Sequence, residues 1–224
     1  MASVVDICNL ALAHLGDNAT VASIDPPEGS VQSEHCARFY PIARDTLLEM
    51  HNWGFASRRI VPAELTSNWP EWKYAYQIPQ NTVNIVAVLP PDAQDDYSTR
   101  WAPTDAPWTN YSPVVAAGRY VPQPYSLESL DDGTLIVYTN QKDAVIRYTA
   151  QVTDPTKFTP LFIITLSWHL ASMLAGPVIK GDMGQQEGKR CAAVMASYLA
   201  QAESSDANQR NIKPEHIVSW VSGR

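Results

Sequence analysis

TPLFIITLSWHLASMLAG, from Thr159 to Gly176, is the most apolar run in the chain. Thr159 reads as an N-cap and Pro160 as the first helical residue, where a missing N–H costs nothing. Beyond them, apolar side chains point in nearly every direction around a helical wheel, the mark of a helix enclosed by other protein. A membrane span is the competing reading. The run of about 16 residues is short of the roughly 20 that cross a bilayer, and Thr165, Ser167, His169 and Ser172 interrupt it. The buried helix is therefore preferred, and the two helical stretches before it and the one after it are its expected neighbours.

Working outward toward the C-terminus, GDMG (Gly181 to Gly184) reads as a turn and a long helix is expected over about Gln185 to Ser204. Its inward side is expected to be small, made of Ala192, Ala193, Ala196 and Ala200, so that two helices approach closely. Residues 206–224 break the helical pattern, turn polar and finish on Ile217, Val218, Trp220 and Val221. Such anchors fold back or dock on another chain.

At the other end, Ser3 and Asp6 form a capping pair for a first helix whose Val5, Cys8, Leu12 and Leu15 share one face, with Gly16 as its stop. Ser30 caps a second helix over Val31 to His51, striped by Cys36, Phe39, Ala43, Leu47 and Met50, with Pro41 a kink rather than an end. Ten of the seventeen prolines lie between Pro62 and Pro124, which excludes a long helix there. Strand signals replace it. Thr82 to Leu89 alternates, and Thr134–Thr139 and Ala144–Gln151 read as a hairpin joined by NQKD. The expected fold class is thus α+β, an antiparallel bundle of about four helices with a β-rich insertion between the second and third long helices and an extended tail. The expected domains are 1–58 with 155–205, 59–154, and the tail 206–224.

Composition narrows the function. With 45% hydrophobic and 17% charged residues the chain is globular. A net charge of −7 with no basic run argues against a phosphate-gripping nucleic-acid binder. MASVVDICNLALAHLG is patterned as an amphipathic helix rather than a signal peptide. Cys8, Cys36 and Cys191 read as reduced thiols, with Cys8 and Cys36 on core faces. No phosphate loop, HExxH, CxxC or GxSxG occurs, so no catalytic, cofactor or metal site is assigned. His169 reads as a buried, hydrogen-bonded core histidine. Two alternatives are kept in view: a cell-wall hydrolase using carboxylates among Glu64, Glu71, Asp95, Asp96 and Asp105, and a sugar-binding module using Trp101 or Trp108.

The order of segments carries one further reading. DICNLALAHLGD, a connector ending in SIDPPEGS, ARFYPIARDTLLEMHNWGFASRR (Ala37 to Arg59), WKYAYQIP (Trp72 to Pro79) and the helical pair after TDPTKFTPLF together resemble the tail tubular protein A family. These are the head-to-tail adaptors of short-tailed bacteriophages, and the resemblance covers about residues 1–205. It implies a structural virion protein without catalysis or cofactor and with no membrane anchor. The implied assembly is a homo-oligomeric ring, usually of twelve copies, that binds the portal on one side and the tail nozzle on the other, offers surfaces for fibres, and lets DNA pass without sequence-specific contact. By the same resemblance the C-terminal extension faces the portal, here through Ile212, Ile217, Val218, Trp220 and Val221.

Overall fold

The computed structural model describes residues 2–18, 20–67, 69–91 and 123–209. In chain order these form α1 (Val4–His14), α2 (Val31–Met50), β1 (Ser57–Ile60), β2 (Glu64–Leu65), β3 (Tyr74–Gln77), β4 (Thr82–Leu89), β5 (Tyr125–Ser129), β6 (Leu135–Thr139), β7 (Val145–Ala150), α3 (Pro160–Ile179) and α4 (Gly181–Asn208). The expected bundle with a β insertion is corrected: the fold is mixed α/β, with four helices and seven strands in two antiparallel sheets among the described residues, and α3 and α4 follow the strands in the C-terminal half. The physical reason lies in the packing. α4, α1 and α2 each pack on α3, α4 the most extensively. The strands, for their part, build a hydrophobic core of their own. The chain divides into two compact units, Met1–Ser57 with Thr149–Gln209, and Arg58–Tyr148.

In the first unit, local chemistry sets the helix ends. Ser3 and Asp6 close a full capping box on α1, and the Ser30 and Thr159 side chains accept the N3 amides of α2 and α3. Asn9 fastens the connector by pairing with both the N–H and the C=O of Val21, at 2.7 and 3.0 Å. Pro41 lies inside a continuous α2. On that helix Cys36, Tyr40, Ala43 and Leu47 are buried, whereas Phe39 is half-buried and Met50 exposed, so the core stripe is rotated from the expected one. Trp53 anchors the turn after α2: it is buried, its indole N–H donates to the Leu47 carbonyl at 2.7 Å, and its ring meets Phe162 edge-on.

α3 buries nine of its twenty residues, including Thr165, Ser167 and His169. By length and a mean hydropathy of 1.6 it would also suffice to cross a membrane. Thr165 and Ser167 settle their hydroxyls on the Leu161 and Ile164 carbonyls, each at 2.7 Å. α4 departs most from expectation. It starts at Gly181, after Lys180 turns the chain with φ of 62°, and it places Ala192, Ala193, Ala196 and Ala200 in solvent. The inward positions are Gly184, Gly188, Cys191, Met195, Tyr198, Ala202 and Asp206, spaced four and three apart. Close approach is made by glycine. A Cβ on Gly184 would lie 2.8 Å from the Ala175 carbonyl oxygen, and one on Gly188 3.2 Å from that of Ser172.

In the second unit the strand order is β1-β7-β4 in one sheet and β2-β3-β6-β5 in the other. β3 pairs antiparallel with β6 (Ala75 opposite Tyr138), and β5 flanks β6 on its other side (Leu127 opposite Val137). Tyr76, Ile78, Val88, Val137, Ala144 and Ile146 form the core, with Ile60 and Ile85 against it. The expected hairpin is corrected as well. The two runs on either side of NQKD enter different sheets, because both edges of β6 are already taken by β3 and β5. The residues between them form a corner, with Asp143 at φ 50° and the Gln141 carbonyl accepting from the Tyr76 hydroxyl at 3.0 Å.

Candidate functional site

The residues singled out as a portal-facing surface, Ile212, Ile217, Val218, Trp220 and Val221, lie outside the described residues, as do Asp95, Asp96, Asp105, Trp101 and Trp108. Glu64 and Glu71 are both exposed. The polar constellations that the fold assembles are elsewhere, in the helical unit.

The first stands where α1 ends. His14 stacks on Trp168 with ring centroids 3.7 Å apart and planes 6° from parallel, and the Arg190 guanidinium lies 5.5 Å from the Trp168 ring centroid. Arg190 is paired to Glu187 one turn earlier and also donates to the His14 carbonyl at 3.3 Å, so a cation closes the C-terminal end of α1. The His14 Nε2 is 3.0 Å from the Ser167 hydroxyl, whose own proton goes to the Ile164 carbonyl. With the hydroxyl proton on that carbonyl, the serine oxygen accepts from His14 in the tautomer that carries its proton on Nε2. That is the reverse of the relation by which a histidine activates a nucleophilic serine. Burial, then the Arg190 charge, holds the imidazole below its ordinary pKa, so it stays neutral. Beside this cluster His14, Ile179, Met183, Glu187 and Arg190 line an open cavity of about 520 Å³.

The second constellation joins α4 to the turn after α2. Asp206, 5% exposed, accepts the Gly54 N–H at 2.9 Å and faces the His51 Nε2 at 3.2 Å. The third is His169, 8% exposed, neither of whose ring nitrogens has a hydrogen-bond partner among the described residues. The hydrogen-bonded histidine expected at that position is thus not found. Burial alone lowers its pKa and keeps it uncharged. Cys8 and Cys36 are buried as expected, Cys191 is buried as well, all three are free, and the hydrogen bond with Cys36, then burial, pushes the Cys8 thiol well above the usual range. Among the described residues no three His, Cys, Asp or Glu side chains gather as a metal site would require.

No known protein family and no curated protein matches this chain.

What the described surface does offer is apolar area in water. Val31 and Ile42 lie exposed on α2, and Met183, 68% exposed, and Ile179 flank the turn between α3 and α4. Val61, 70% exposed, with Trp69, Leu127 and Leu130, is exposed on the β-rich unit. Sequence reasoning overlooked Gly188 and Asp206. Both carried a signal: a second glycine four residues after Gly184 in a helical stretch, and a carboxylate four residues after Ala202 on the stripe where an apolar residue is due.

Proposed function

We propose that this chain is a structural adaptor of a phage virion, assembling as a homo-oligomeric ring between the portal and the tail nozzle and continuing the DNA channel. The observation that carries the reading is the order of its segments, above all ARFYPIARDTLLEMHNWGFASRR followed by WKYAYQIP, which resemble the tail tubular protein A family. Two physical features support it. Large apolar side chains stand exposed on both units, and a surface of that kind is stabilised by neighbours. The net charge of −7 suits a channel wall along which DNA slides, since an attractive wall would hold it.

In this reading the portal-facing contact is made by Ile212, Ile217, Val218, Trp220 and Val221, twelve copies close the ring, the nozzle takes the opposite side, and fibres attach at the periphery. Mixing the purified chain with portal rings and measuring mass, with negative-stain imaging of the product, tests it. A ring seated on the portal is expected. A chain that stays monomeric at high concentration and never joins portal rings refutes the adaptor. Deletion of residues 212–224 is expected to leave the helical content unchanged and abolish portal binding; undiminished binding refutes the tail's role alone.

A further inference from the structure

The C-terminal end of α4 is held by small and polar side chains rather than by large apolar ones. From Ala200 onward α4 buries Ala202 and Asp206 and half-buries Glu203, but residues 203–209 carry no large apolar side chain. A helix end of that composition frays readily in water, because without large apolar contacts it has little beyond its own hydrogen bonds to hold it. Yet the helix runs unbroken to Asn208.

Among the described residues, one carboxylate ties residues 203–209 to the rest of the unit by hydrogen bonds. The Asp206 Oδ1 receives the Gly54 N–H at 2.9 Å, and Oδ2 stands 3.2 Å from the His51 Nε2. The His51 ring is itself set edge-on against buried Trp53, 4.8 Å between centroids, so packing holds the receiving corner in place. Gly54 makes room: a Cβ at that position would lie 3.0 Å from the Asp206 Oδ1.

We infer that residues 203–209 are a conditionally folded segment, helical while Asp206 is clasped by Gly54 and His51 and frayed when it is not. The clasp is a lock on one helix end that opens without disturbing the core.

Hydrogen–deuterium exchange on the full chain tests this, with Asp206→Ala as the variant. Alanine is the stronger helix former, so propensity alone predicts slower exchange in the last two turns. The lock predicts the opposite: amides of residues 203–209 exchange at least about tenfold faster, the loss expected when a charge-assisted bond goes, while those of α1, α2 and α3 keep their protection. Unchanged or slower exchange at 203–209 overturns the inference. So does a loss of protection spread through the whole helical unit, since the carboxylate would then be supporting the core. His51→Gln, which removes only the half-buried partner, is expected to give a smaller loss confined to the same residues; no change in that variant removes His51 from the clasp.

Discussion

Gly184→Ala places the meeting of α3 and α4 under a direct test, because two effects of opposite sign act on one methyl group. Replacing glycine by alanine in a helix ordinarily stabilises by about 0.4–1 kcal/mol through chain entropy and propensity. Here the new Cβ lies 2.8 Å from the Ala175 carbonyl oxygen and 3.5 Å from the Gly176 Cα, both main-chain atoms of a packed helix. Carbon and oxygen ordinarily approach no closer than about 3.3 Å, so α4 has to retreat by roughly 0.5 Å. A gap of that size forfeits about a quarter of the dispersion well along the contact, and overpacking of this kind costs about 1–3 kcal/mol. The net expectation is a loss of about 1 kcal/mol, or about 2–4 °C in Tm for a chain of this size. Gly188→Ala is the internal control, since its Cβ meets the Ser172 oxygen at 3.2 Å and needs only a few tenths of an ångström. Thermal and urea denaturation followed by circular dichroism should rank Gly184→Ala below wild type and Gly188→Ala at or near it. A Gly184→Ala protein as stable as wild type, or more so, would refute the claim that main-chain contact sets this crossing.

Other expectations follow from single contacts. Thr159→Ala removes the cap that accepts the Phe162 N–H at 3.3 Å and should cost about 1 kcal/mol in denaturant unfolding. Trp53→Phe leaves the buried Leu47 carbonyl without its 2.7 Å donor and should cost about 1–3 kcal/mol for that group alone. His169 and His14 are both held neutral below their ordinary value of 6.5, so the unfolded chain binds more protons than the folded one below that pH. Their contribution is therefore present above pH 6.5 and lost as pH falls through their depressed folded values. His169→Leu should flatten the decline in Tm just below pH 6.5, measured by a pH series of melts, and an unchanged slope would count against the buried neutral ring.

Much of the local structure could be read from single residues. The Ser3–Asp6 capping box, the Ser30 and Thr159 caps and Pro160 at the first turn all act within a few positions of themselves, so sequence suffices. The place of α3 as a helix packed by α1, α2 and α4 was legible for the same reason, although it buries only nine of its twenty residues rather than being enclosed on every side. The failures share a different cause. Ala192, Ala193, Ala196 and Ala200 read as an inward face because alanine is both small and apolar, but alanine is equally at home on a solvent-facing helix. The residues that do close the interface are glycines, whose role shows only once the partner's main chain is in place. The NQKD hairpin failed because strand propensity says that a run is extended and not which strand it joins. Likewise the Asp206 clasp is a pairing across about 150 residues of chain, invisible to any local pattern.

The three sulfhydryls set one practical consequence. α1, α2 and α4 each carry a single cysteine with no exposed surface, so a water-soluble alkylating reagent reaches none of them until its helix departs. Peptide mass mapping of an alkylation time course would therefore record the sequence in which the helices leave, without any engineered label. If α4 peels away first, Cys191 is modified ahead of the other two; if the unit opens at once, all three are modified together.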